Sequence, residues 1–163
     1  MFMLAVPHVS SNLKEGNLGM LHQILLEQQE DLTMLCTIVE YLKGELQTGI
    51  DNQEVRKYNE KVTTVCTRQT KRYEEIDNRI NTTIILNKKG RATDDKILIY
   101  GREVRKLESG LRTLRLFVSD AITMLDKNHL TENRSEERIR YFEKRSVSLQ
   151  VEMITLNKQL SLL

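Results

Sequence analysis

The sequence contains few of the residues that interrupt helices or build sheets. Its 163 residues include one proline, seven glycines and no tryptophan, and aromatic side chains account for only 5% of the chain. Because sheets favour aromatic and β-branched residues and need frequent turns, this composition argues against a β protein. The charged fraction of 29% is typical instead of long helices that expose one face to water.

Cysteines and long apolar runs are also scarce. Cys36 and Cys66 are too few for a disulfide framework and lack the spacing of zinc ligands, so we interpret both as small buried hydrophobes. The sequence has no run of about 18 apolar residues, so no membrane span is expected. Pro7 interrupts the apolar N-terminus, and no basic residues precede it, unlike in a secretory signal. We therefore predict an intracellular protein of the cytoplasm or nucleus.

Neither sign of charge dominates the whole chain. The sequence has 25 basic and 23 acidic side chains, a balance that gives no reason to expect a nucleic-acid partner. Residues 1–47 nevertheless carry two basic and six acidic side chains, whereas residues 48–127 carry 17 basic and 12 acidic ones. We interpret this asymmetry as complementarity between an acidic first helix and a basic middle. Weak contact of the middle with nucleic acid or an anionic membrane surface is the alternative.

No residue pattern predicts catalysis, a metal site or a cofactor. Di-metal sites in helical bundles use Glu-x-x-His pairs, and none of His8, His22 and His129 follows a glutamate by three residues. The sequence also lacks the glycine-rich phosphate loops, the GxSxG nucleophile turn and the HExxH zinc motif. We therefore predict a protein that is not an enzyme and that needs no cofactor.

The main positive signal is an apolar ladder with steps of three and four residues. Such a repeat averages about 3.5 residues and places one seam along a helix, facing other helices. The ladder of the first segment contains Leu18, Leu21, Leu25, Gln28, Leu32, Leu35, Val39, Leu42 and Leu46. The ladder of the last segment contains Ile139, Phe142, Ser146, Leu149, Met153, Leu156, Leu160 and Leu163.

Two further ladders lie between these. The third segment continues without a skip through Ile97, Tyr100, Val104, Leu107, Leu111, Leu114, Val118, Ala121 and Leu125. The second is less regular and contains Val55, Tyr58, Val62, Val65, Gln69, Tyr73, Ile76, Ile80 and Ile84. From Thr67 to Arg72 its core side is polar for about two turns. We expect this stretch to weaken a closed bundle, which favours helices that are partly committed to another chain.

Short breaks separate the four ladders. Glycine and capping residues predict helices at about 17–47, 51–88, 93–127 and 134–162, with a flexible N-terminal segment at 1–16. Gly90 is expected to take the left-handed conformation that ends the second helix. Since links this short join neighbouring helices in bundles, we interpret residues 1–163 as one all-α unit, a helical bundle or coiled coil.

These patterns predict a structural or adaptor subunit that assembles with helical chains, self or hetero, in a larger complex. The predicted interface consists of the nine residues of the first ladder together with Leu149, Met153, Leu156 and Leu160. Gln28 is the one polar member, and a single polar seam residue fixes register and partner number at a cost in stability. One alternative is a self-contained four-helix bundle that docks proteins or peptides. Another is a basic helical module for nucleic acid or anionic membranes.

Overall fold

The described residues form four long helices. The computed structural model describes residues 16–48, 52–90, 96–126 and 132–162, and this part of the chain contains no strand. The helices are α1 (Gly16–Thr48), α2 (Asn52–Lys88), α3 (Lys96–Asp126) and α4 (Glu132–Ser161). The prediction of an all-α fold with four helices is confirmed, and every bound lies within three residues of its predicted position. The segment predicted to be flexible falls almost entirely on residues 1–15, outside the described residues.

The end of α2 follows the predicted capping chemistry. Gly90 has a φ of 71°, and its backbone N–H donates to the carbonyl of Asn87 at 3.1 Å. Only glycine adopts this left-handed conformation at little cost, so Gly90 stops the helix as expected. Asp51 and Thr93, whose side chains the sequence predicts to cap the N-termini of α2 and α3, lie outside the described residues.

Consecutive helices run in opposite directions. Tyr41 packs on Tyr58 with ring centroids 4.6 Å apart, whereas Asp31 pairs with Arg72, so residue numbers rise along α1 as they fall along α2. The same reversal relates α2 to α3 and α3 to α4. α1 and α3 each pack against all three other helices, while α2 and α4 lie on opposite sides of that pair. The result is an up-down-up-down bundle with α1 and α3 at its centre.

The four ladders meet in one core. In α3, Leu111 and Leu114 are both fully buried, and each such leucine contributes roughly 1.5 to 3 kcal/mol relative to an exposed one. At Gly110, an added Cβ would lie 2.8 Å from Cδ2 of Leu149, so the missing side chain lets α4 approach α3 closely. The core therefore depends on small residues as well as on the apolar ladder.

The seam of α2 differs from the predicted one. The second ladder steps from Gln69 to Tyr73, but the buried positions that follow Gln69 are Arg72, Ile76 and Ile80, and Tyr73 is only half-buried. An arginine occupies the core position because acidic side chains of α1 and α3 surround it. Ion pairing across helices, which no pattern within α2 reveals, decides the register here.

Candidate functional site

The structure places most of the predicted interface residues inside the bundle. The buried ones are Leu21, Leu25, Gln28, Leu32, Leu35, Val39 and Leu42 of α1, and Leu149, Met153, Leu156 and Leu160 of α4. Leu18 packs against the same core in a partly buried position, and the side chain of Leu46 lies outside the described part of the chain. Helices of the same chain therefore occupy these seams.

A layer of four buried polar side chains crosses the middle of the bundle. This central polar layer consists of Gln28, Asp31, Arg72 and Glu108, each at most 1% exposed. Nη2 of Arg72 lies 2.6 Å from Oδ2 of Asp31 and 2.9 Å from Oε1 of Glu108. Nε of Arg72 also donates to Oε1 of Glu108 at 3.0 Å. One guanidinium thus joins a carboxylate of α1 to a carboxylate of α3.

Gln28 completes the layer from the α1 side. Its Nε2 donates to Oε2 of Glu108 at 2.5 Å and to the carbonyl of Val104 at 3.1 Å. The polar residue that interrupts the first ladder is therefore matched by an acid and a backbone carbonyl on α3. This matching holds α1 and α3 in one relative position, because a shift along either helix would bury unpaired polar groups.

The charges of the layer compensate one another. Burial raises the pKa of the Asp31 and Glu108 carboxyl groups, and the guanidinium of Arg72 opposes that shift. Burial alone would lower the pKa of Arg72, but its contacts with Glu108 and Asp31 raise it above the ordinary value. Arg68, at the rim, adds a second cation 3.5 Å from Oδ1 of Asp31. The layer is a set of ion pairs that joins α1, α2 and α3 inside the bundle.

The predicted complementarity between acidic α1 and the basic middle is confirmed around this layer. Arg68 also lies 3.2 Å from Oε2 of Glu30, and Nη1 of Arg72 lies 3.6 Å from Oε2 of Glu27. The polar stretch of α2 supplies Arg72 to the layer and Arg68 to its rim, and the expectation that this stretch weakens the closed bundle stays a prediction. The sequence patterns indicate Gln28 and this stretch as two separate features, and none of the patterns relates one to the other. They miss Asp31 and Glu108, although Asp31 lies one turn after Gln28 on the same helix face.

An open groove of about 450 Å³ lies between α2 and α3 beside the layer. It is lined by Cys66 and by charges of both signs, including Arg112, Arg115 and Glu74. Nε of Arg115 donates to the side-chain oxygen of Gln69 at 2.6 Å, so this arginine is already held by its neighbour. The mixed charge and wide opening do not select an anionic or a cationic ligand.

A second buried polar set lies on α1 and α4. His22, Gln29 and Asn157 are at most 2% exposed, yet their imidazole and amide atoms have no hydrogen-bond partner among the described residues. Such groups lower stability, because they lose their contacts with water without gaining others. Burial also lowers the pKa of His22 below its ordinary value of 6.5. We therefore expect the imidazole to be neutral in the folded protein.

His22 should make stability depend on pH. Its pKa is lower in the folded state, so the unfolded state binds more protons below about pH 6.5, and stability falls as pH falls through that range. Urea unfolding at about pH 7.5 and about pH 5.5 measures this loss. In His22→Leu the loss should shrink and stability at the higher pH should rise. An unchanged difference between the two pH values would assign the effect to other groups.

The outer face of α4 carries an apolar stripe of its own. The outer stripe consists of Val147, Val151 and Ile154, which are 55%, 58% and 43% exposed and follow one another by four and three residues. Since residues two apart lie about 200° apart around a helix, Val151 faces away from the core residues Leu149 and Met153. Ile154 follows the seam residue Met153, and the sequence predicts that it flanks the seam, but the structure places it on this outer face. The repeat from Val147 to Ile154 could have revealed the stripe.

Basic side chains continue the outer stripe at both ends. Lys144 precedes Val147 by three residues, and Lys158 follows Ile154 by four, so both continue the same spacing. Both lysines are exposed, and neither forms an ion pair with the described residues. The nearby acids of α4 are already engaged, because Glu143 lies 3.0 Å from Lys43 and Glu152 lies 3.9 Å from Arg145. The stripe is therefore apolar at its centre and positively charged at its ends.

Other kinds of site are not found in the described residues. Their helices include none that is both long enough and apolar enough to cross a membrane. Nor do three histidine, cysteine or acidic side chains in that part of the chain come together as metal ligands would. Comparison of the chain with protein-family models, curated proteins and solved structures finds no match to any of them.

Proposed function

We propose that this protein is a non-enzymatic structural or adaptor subunit that assembles with another helical chain. The exposed outer stripe of α4 is the observation that supports the proposal. A contiguous apolar row with steps of four and three residues, on the face opposite the core, has the form of a seam for a partner helix. The bundle leaves such apolar surface exposed where association would cover it.

The outer stripe suits a partner better than the ladder of α1 does. The other three helices cover Leu35 and its neighbours, so a partner could reach them only after the bundle opened. Opening would expose the core and separate the ion pairs of the central polar layer. The outer stripe needs no rearrangement, and an interface whose backbone moves little on binding is the usual case.

A photo-crosslinking residue placed at Val151 tests this proposal in native cells. We expect one main adduct, and peptide mapping should locate the crosslink in a helical segment with apolar steps of three and four residues. Gln159, an exposed neighbour away from the stripe, is the matched control and should give little of that adduct. Equal adducts from both positions, or none from either, would contradict the proposal.

The same stripe supports the alternative of a self-contained bundle that docks without obligate oligomerisation. The closed core, which buries both predicted seams within one chain, favours that variant. Sedimentation of the isolated chain separates the two. A stable folded monomer of 19.1 kDa supports the docking module, whereas an isolated chain that aggregates unless its partner is present supports an obligate subunit.

A further inference from the structure

We infer that the outer stripe of α4 binds an amphipathic helix of another protein, one whose apolar seam is flanked by aspartate or glutamate. This inference rests on the proposed function and names the chemistry of the partner. The evidence for it is the position of Lys144 and Lys158 at the two ends of the row formed by Val147, Val151 and Ile154.

The apolar part of the stripe is short. From Val147 to Ile154 it covers seven residue steps, or roughly 10 Å along the helix axis. Burial of three partly exposed aliphatic side chains contributes only a modest part of a stable interface. Charges at the two ends must therefore supply much of the discrimination between partners, as residues beside the seam do in coiled coils.

The charge pattern argues against a second copy of this chain. In an antiparallel pairing centred on Val151, Lys144 of each copy lies opposite Lys158 of the other. In a parallel pairing each lysine lies opposite itself. Both arrangements place like charges across the interface, which costs free energy and suppresses that pairing.

A partner helix with acidic residues avoids this repulsion between like charges, whether it lies parallel or antiparallel to α4. Carboxylates opposite Lys144 and Lys158 pair with two cations that have no partner among the described residues. The two acids of α4 beside the stripe, Glu143 and Glu152, do not compete, because they already face Lys43 and Arg145. The same lysines could also attract an anionic membrane. However, a helix that lies in a membrane interface usually buries a broader apolar face than these three residues form.

Three synthetic helical peptides of about four turns test the inference with the full chain. The first has an apolar seam with a glutamate at each end, the second has the same seam with a lysine at each end, and the third has the first peptide's composition in scrambled order. We expect the glutamate peptide to bind about tenfold more tightly than the lysine peptide at low salt. The difference should shrink as salt is added, and the scrambled peptide should not bind. Fluorescence anisotropy measures each affinity.

Two variants and one control assign the binding to this surface. Val151→Asp should abolish binding of both ordered peptides, while Gln159→Asp should leave it unchanged. The double variant Lys144→Glu/Lys158→Glu should prefer the lysine peptide. All four substitutions lie at exposed positions, and circular dichroism of each variant checks that the bundle remains folded.

The possible failures of the two proposals differ. If both ordered peptides bind equally and Val151→Asp weakens both, the docking site stands and the acidic partner is wrong. If no peptide binds and crosslinking at Val151 gives no adduct, the proposed function itself fails. Dimerisation that Val151→Asp abolishes would make a second copy the occupant. Binding to phosphatidylserine vesicles, together with equal affinity for the two ordered peptides, would make an anionic membrane the occupant of the stripe. Either result overturns the inference.

Discussion

Replacing Arg72 with methionine is expected to lower the free energy of unfolding by about 3 to 5 kcal/mol. The guanidinium is 1% exposed and is the cation between the carboxylates of Asp31 and Glu108, 2.6 Å and 2.9 Å away. Removing it leaves the buried Glu108 carboxylate without a cation and leaves Asp31 with only Arg68 at the rim, 3.5 Å away. Urea unfolding followed by circular dichroism measures the loss, and Lys71→Met, at the exposed neighbouring position, should change the same quantity little.

A triple variant separates the net contribution of the ion pairs from the cost of breaking them. Asp31→Leu/Arg72→Met/Glu108→Leu removes all three charges together, and stability should return to that of the natural chain or exceed it. If this apolar layer also allows α1 to shift against α3, chemical-shift dispersion should decrease although the bundle stays helical. A loss in Arg72→Met no greater than that in Lys71→Met would show that the layer is not buried as described.

Leu35→Asp is expected to destabilise the bundle by more than about 4 kcal/mol. Leu35 is fully buried in the core, and the aspartate would bring a charge there without a partner. Since small domains have a total stability of only about 5 to 15 kcal/mol, much of the folded population could be lost. Thermal unfolding of the isolated chain should show a large fall in midpoint or no cooperative transition.

Two controls define what the Leu35 result means. Leu116→Asp changes a leucine that is 45% exposed on α3 and should cost far less. Met34→Asp should have an intermediate effect, because Met34, which the ladder predicts to face outward, is half-buried and packs against the core. A stable Leu35→Asp variant together with a disrupted Met34→Asp variant would mean that α1 is rotated from the orientation described.

The elements and most of the core could be predicted from the sequence. A repeat of three and four residues puts apolar side chains on one helix face, and water drives that face inward whatever lies opposite. This is why the first and last ladders predicted buried residues such as Leu35 and Leu149 correctly. Gly90 was equally predictable, because its conformation depends on the local backbone alone. These features are encoded in short stretches, each of which can be interpreted without the rest of the chain.

Only the tertiary structure decided what each face contacts. Arg72 is buried because Asp31 and Glu108, distant in sequence, lie beside it across the bundle, and no periodicity in α2 contains that information. The outer stripe is a related case, since the sequence contains its repeat, but only the packing of the four helices shows that no helix of the bundle covers Val151. A pattern along the sequence specifies which side chains avoid water. The pairing of charges between helices and the surface that stays exposed depend on how the four helices pack around one core.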